Sequence, residues 1–147
     1  MTTIAWDGRY LAADSMATMG NYTSPKAVQK IRQEGNTLYA IVGFSAWFDA
    51  WIAWHKAGAD PKALPVTTIP AGCTGNFIVI KDGICRFCGH DLPYFSVANP
   101  PDAWGSGSEF AIGAMLAGCS AERAIEIAIQ ADPYSGGPVQ VVDTYPL

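Results

Sequence analysis

The sequence predicts a layered antiparallel α+β domain. Strands that come in hairpins, and helices that come as a group, carry that prediction. Thr2 to Trp6 and Arg9 to Ala13 are apolar runs joined at Asp7-Gly8, and Phe77 to Ile80 and Ile84 to Cys88 are joined at Lys81-Asp82-Gly83. Short apolar segments on either side of an Asp-Gly pair read as paired strands. Two helical stretches then follow one another, Ser108 to Leu116 and Ser120 to about Ala131. Paired strands and grouped helices argue for segregated layers rather than a parallel βαβ order.

Along the chain, the first hairpin ends at Asp14-Ser15, which brings Asp14 back near the N-terminus. Gly20 to Pro25 reads as loop and Ala27 to Arg32 as extended. Glu34-Gly35-Asn36 turns the chain into the apolar strand Thr37 to Val42, closed by Gly43. Ala46 to Ala57 reads as a helix, with Trp47, Trp51 and Trp54 at i, i+4 and i+7 on one face. Such a stripe serves a core or a subunit interface more often than a ligand. Gly58 to Gly75 holds three prolines and reads as an irregular connection. Leu92 to Pro101 is extended or loop. Ser120 is placed to cap the last helix, with Glu122 in its first turn. Val139 to Val142 forms a final short strand.

Bulk properties narrow the function. At 147 residues the chain suffices for one domain with its own core. A net charge of −4 and the lack of any basic run argue against nucleic acid. No segment has the length of apolar sequence that spans a membrane, and no export signal is legible, so a cytoplasmic protein is expected. Of the four cysteines, Cys85 and Cys88 with His90 invite a zinc reading, for which Cys73 is the available fourth ligand. Residues three apart on a strand face opposite ways, so we expect small buried hydrophobes and no metal.

The chemistry is expected at the start of the chain. Met1 is followed by Thr2-Thr3, and methionine is removed before small residues. Removal would leave Thr2 with both a hydroxyl and a free α-amine. That amine has an ordinary pKa of about 7.7–8.0, suited to a general base, and its pairing with a Thr hydroxyl is an established way to make a nucleophile.

Four separated segments now fall in order: M-T-T-I-A-W-D-G-R-Y-L-A-A-D-S-M-A-T, Q-K-I, A-W-G-S-G-S and A-D-P-Y-S-G-G. Together they resemble the proteasome β-subunit and HslV-like family of N-terminal-nucleophile (Ntn) hydrolases. The resemblance implies a four-layer αββα sandwich and a threonine peptidase. Thr2 matches the nucleophile, Asp14 the acidic residue beside it, and Lys30 the lysine against its hydroxyl. Gly43 matches the oxyanion donor. Ser106, Asp132 and Ser135 match the polar cluster around the terminal amine. Thr18, Ile41 and Ser45 match positions that line the substrate cleft. No cofactor is implied. The partners implied are a peptide or unfolded protein, a homo-oligomeric ring, and an ATP-dependent unfoldase. The chain has room for one helix, where the family has two, between Gly43 and Phe77; in this it is similar to compact proteasome-like proteins of phages and prophages. Two other readings stand beside the peptidase. One is an Ntn amidohydrolase acting on a small-molecule amide. The other is a scaffold or assembly protein that keeps Met1.

Overall fold

The structure, a computed structural model, describes residues 1–19, 21–43, 45–65, 75–89 and 93–147, without the side chains of Met19 and Ser45. Strands β1 (Thr3–Trp6) and β2 (Tyr10–Ala13) form the first hairpin. Asp7 N–H bonds the Tyr10 carbonyl, so Gly8 and Arg9 are the central turn residues, one step on from the expected Asp7-Gly8. The Asp7 carboxylate accepts from the Arg9 and Tyr10 amides and pins that turn. A short hairpin follows, β3 (Thr18–Met19) with β4 (Tyr22–Thr23), and its second strand falls in the segment Gly20 to Pro25 expected to be loop. Next come β5 (Ile31–Glu34), β6 (Thr37–Val42), helix α1 (Phe48–Lys56), β7 (Asn76–Lys81), β8 (Ile84–Gly89) and β9 (Ser96–Val97). The chain closes with β10 (Asp102–Gly105), α2 (Ser108–Leu116), α3 (Ala121–Ala131) and β11 (Gln140–Asp143). Between Gly43 and β7 the described residues hold one α-helix, as expected, and two 3-10 turns, at Ser45–Trp47 and Pro61–Ala63.

Besides the β3-β4 ribbon, the described strands form two antiparallel sheets, ordered β10-β1-β2-β11 and β5-β6-β7-β8-β9. Strand alternation assigns each side chain a layer. Ile4, Trp6, Leu11 and Ala13 of the first sheet meet Leu38, Ala40, Val42, Ile78 and Ile80 of the second to form the central core. On the far side of the first sheet, Ala5, Ala12 and Ala103 pack on Ala111, Ala121, Ala124, Ile125 and Ala128 of α2 and α3. On the far side of the second, Tyr39, Ile41, Phe77 and Val79 pack on Phe48, Trp51, Ile52 and Trp54 of α1. The four-layer αββα sandwich is therefore present. Trp51 and Trp54 face this outer core, Trp51 tilted against Phe77 and Trp54 stacked on Phe95, and Trp47 packs at its margin.

The Ser120 hydroxyl accepts from the Arg123 amide and caps α3 as expected. Asp7 Oδ2 accepts from Ala121 N–H and adds a second partner at the same helix start. Cys85 lies in the central core and Cys88 in the outer one, on opposite faces of β8. Burial pushes both thiols up to about 12. Among the described residues no group of His, Cys, Asp and Glu could hold a metal ion, and Cys73 and His90 lie outside them. No helix among the described residues is long and apolar enough to cross a membrane.

Candidate active site

The chain start lies against the edge of the first sheet, where β1, the end of β2 and the end of β10 converge. Thr2 is buried at 5% exposure, whereas Met1 is 57% exposed. The Met1 amine donates to the Thr18 hydroxyl at 2.8 Å. The Thr2 carbonyl accepts from Ser106 N–H at 3.0 Å, a bond just beyond the register that pairs Thr3 with Gly105. Strand β10 was not legible as a strand, yet it is what carries Ser106 to Thr2. Gly105 makes the approach possible. Its φ is 103°, and a Cβ there would lie 1.7 Å from the Thr2 carbonyl oxygen.

Asp14, at the end of β2, is fully buried and works with both carboxylate oxygens. Oδ1 accepts from Thr3 N–H at 3.0 Å and from Lys30 Nζ at 2.8 Å. Oδ2 accepts from Gly136 N–H at 3.1 Å and more weakly from Met16 N–H. Lys30 is buried as well, and its ammonium makes three bonds: to Asp14, to the Met16 carbonyl at 2.7 Å and to the Met1 carbonyl at 3.0 Å. Burial holds the Lys30 pKa below its ordinary 10.5, against the opposing pull of Asp14. A buried charge pair is tolerated only when its remaining protons and lone pairs are satisfied, and here they are. Lys26, the other lysine in the segment, is exposed.

A second polar cluster lies beside it. Ser106 Oγ and Ser135 Oγ donate to Asp132 Oδ2 at 2.5 and 2.6 Å, and Tyr134 N–H donates to Oδ1. Burial pushes the Asp132 carboxyl up. The two serine bonds, the Tyr134 amide and the positive chain terminus outweigh this and bring it below 3.8. Ser135 spends its proton on Asp132, so the 2.7 Å contact between Thr3 and Ser135 must have Thr3 as donor. Gly107 N–H completes the line by donating to Thr3 Oγ1 at 2.9 Å. Donors therefore run from Gly107 through Thr3 and Ser135 to Asp132. The chain's amino group is held below its ordinary 8.0 by burial first and by the Lys30 ammonium second, with Asp14 and Asp132 opposing.

The structure thus gathers Thr2, Asp14, Lys30, Ser106, Asp132 and Ser135 at one place. Thr18 joins them through the Met1 amine. Gly43 follows β6 with a φ of 110° and is exposed. Ile41 lies elsewhere, 5% exposed in the outer core under α1. Ser45 opens the short 3-10 turn before α1, and its side chain lies outside the described part. Thr3 was missed by sequence reasoning. Its signal was the alternation of β1, which turns Thr3 away from the central core that receives Ile4.

No family profile matches the sequence, and no curated protein matches it. Solved structures do match. A structure of Thiobacillus denitrificans BPH in complex with epoxomicin superposes with a TM-score of 0.71 at 20% identity, covering 99% of each chain. A second BPH structure gives 0.69 at 22% identity, covering 99% of this chain and 98% of that one. A eukaryotic HslV from Trypanosoma brucei gives 0.70 at 18% identity, covering 97% of this chain and 99% of the other.

Proposed function

We propose that this chain, which has the fold of HslV and proteasome-type β-subunits over nearly its whole length, is a threonine-type peptidase whose nucleophile is Thr2 once Met1 is removed. The observation that carries the reading is the bond from Lys30 to the Met1 carbonyl. That carbonyl belongs to the peptide link that blocks Thr2. Cutting the link removes the acceptor and releases one ammonium donor of a buried lysine beside Thr2. The same cut turns the Thr2 nitrogen from an amide into an amine, one residue from the Met1 amine that burial and Lys30 hold below its ordinary pKa.

In this mechanism the Thr2 amine takes the proton of the Thr2 hydroxyl, directly or through one water, as the oxygen attacks the substrate carbonyl. Lys30 favours the developing alkoxide, and Asp14 holds Lys30 charged and oriented. The Gly43 amide stabilises the oxyanion, a contribution of about 3–4 kcal/mol for one such donor. The C–N bond breaks with transfer of the proton to the leaving amine, leaving an ester on Thr2. Water, deprotonated by the Thr2 amine, hydrolyses that ester. Asp132, Ser106 and Ser135 hold the amine. The peptide lies along the site as an added strand, past Thr18 and Ser45, while Ile41, expected to line the same cleft, is buried under α1. The reading extends to a closed homo-oligomeric ring served by an ATP-dependent unfoldase, with the working protein in the cytoplasm.

The test compares protein with Met1 removed, protein with Met1 retained, and Thr2→Ala. Fluorogenic peptides should be cleaved by the first alone, and epoxomicin should add its mass to the N-terminal peptide of the first alone. Equal peptidase activity in all three overturns the assignment. Turnover of simple amides without peptides moves it to the amidohydrolase reading, and a native protein that keeps Met1 in every molecule moves it to the scaffold reading. Light scattering checks the ring, and a monomeric mass refutes it.

A further inference from the structure

Asp14 and Lys30 flank strands of different sheets. Asp14 immediately follows β2 of the first, and Lys30 immediately precedes β5 of the second. Their ion pair therefore bridges the sandwich at its edge, and its geometry depends on how far apart the two backbones sit. A lysine reaches through a flexible four-carbon stem, so its own rotamers do not determine where the ammonium lies.

Gln140 sets that separation. It stands opposite Ala13 on β11, one residue short of Asp14. Its Oε1 accepts from the Lys30 backbone N–H at 2.9 Å. Its Nε2 donates to the Asp14 carbonyl at 3.1 Å and to the Val28 carbonyl at 2.7 Å. One acceptor and two donors are used together, so a flipped amide would lose all three bonds. The segment leading into Gln140 grips the same place. Gly136 N–H reaches Asp14 Oδ2, Ser15 N–H bonds the Gly136 carbonyl at 3.0 Å, and Ser15 Oγ donates to the Pro138 carbonyl at 2.6 Å.

We infer that Gln140 is a positioning residue for the Thr2 site: its carboxamide holds the Asp14 and Lys30 backbones at the spacing that aims the Lys30 ammonium at Thr2. The inference rests on the peptidase reading above. Gln140 bonds neither Thr2 nor the neighbouring amine, so it acts through the ion pair. Displacements of about 1 Å in such groups cost on the order of 100-fold in rate.

The test uses the full chain with Met1 removed. Gln140→Met keeps length and loses all three bonds. It should lower kcat roughly 10- to 100-fold, the range seen when supporting hydrogen bonds are removed, and leave KM within about twofold. Gln140→Glu supplies a graded version. A protonated carboxyl keeps the acceptor and one donor, whereas a carboxylate turns an oxygen toward the Asp14 and Val28 carbonyls. The activity of Gln140→Glu relative to wild type should therefore fall as pH rises through that carboxyl's pKa. A side chain that only fills space leaves the ratio flat. A third readout needs no activity. The Lys30 ammonium, still held by Asp14 and the Met16 carbonyl after Met1 is removed, should give a slowly exchanging 15Nζ resonance in wild type and lose it in Gln140→Met. Wild type without peptidase activity would sink the peptidase reading alone, and the resonance would still decide the role of Gln140. Should Gln140→Met fail to fold, the pH-dependent ratio of Gln140→Glu decides. An unchanged Lys30 resonance, a kcat within twofold of wild type or a flat ratio overturns the inference.

Discussion

Lys30 spends all three of its ammonium protons inside the protein, on one carboxylate and two carbonyls. Removing it strands Asp14 as a buried charge, so Lys30→Ala should cost about 3–5 kcal/mol of stability as well as peptidase turnover. The exposed Lys26 offers the control: Lys26→Ala should change stability by less than about 0.5 kcal/mol and leave turnover intact. Urea titration and peptide kinetics on both variants check the pair, and the reverse pattern would mean that the cation is misassigned. Gly105 makes a sharper residue-scale case. Gly105→Ala puts a methyl onto the Thr2 carbonyl and forces a left-handed φ on a residue with a side chain. It should cost about 1–3 kcal/mol in backbone strain. Displacing Thr2 should lower kcat by roughly 100-fold. Wild-type kinetics in that variant would show that the close approach does not position Thr2.

At the scale of elements, the two helical layers are held by different means. Helix α3 buries small residues, Ala121, Ala124 and Ala128, against alanines of β1 and β2, so helix and sheet lie close together. Helix α1 buries Phe48, Trp51, Ile52 and Trp54 and stands off its sheet on large rings. Trp51 is 2% exposed, and Trp51→Ala should therefore cost about 3–5 kcal/mol. Ser120→Ala removes one of the two caps at the start of α3 and should cost only about 1 kcal/mol. Denaturant midpoints of the two variants test the ranking, and equal losses would refute it. The long strands and all three helices were legible because their periodicity is local. Strand β10 was not: Asp-Ala-Trp-Gly is too short to show alternation and becomes a strand only by pairing with β1. The hairpin of β3 with β4, two residues a side, escaped notice for the same reason.

Stability against pH is a property of the whole molecule, and Asp132 gives it a definite sign. Its folded pKa lies below the ordinary 3.8. The stability it confers is full above 3.8 and is lost as pH falls through the lower folded value, because the unfolded chain then binds the proton more readily. Asp132→Asn should therefore flatten the acid limb of a stability curve followed by urea unfolding from neutral pH to about pH 2. Curves of identical shape would show that Asp132 is not held as described. The amine of the processed chain adds a second pH effect. In the unprocessed chain burial and Lys30 hold the Met1 amine below its ordinary 8.0. On the proposed mechanism, peptidase activity should rise with pH as the neutral Thr2 amine becomes available, and a pH profile that falls over that limb would refute the amine as base.

By itself the sequence determined the order of the main elements, the α+β class and the residue types from which the site is built. Hydrophobic periodicity and turn chemistry act between near neighbours and leave their mark in local sequence. Which hydroxyl donates to which, that Lys30 rather than Lys26 meets Asp14, and that Gln140 joins their backbones were decided by the tertiary structure. Those contacts link residues as much as 132 positions apart and across two sheets. A hydrogen bond requires its partners within about 3 Å, and only the packing of the sheets brings them there.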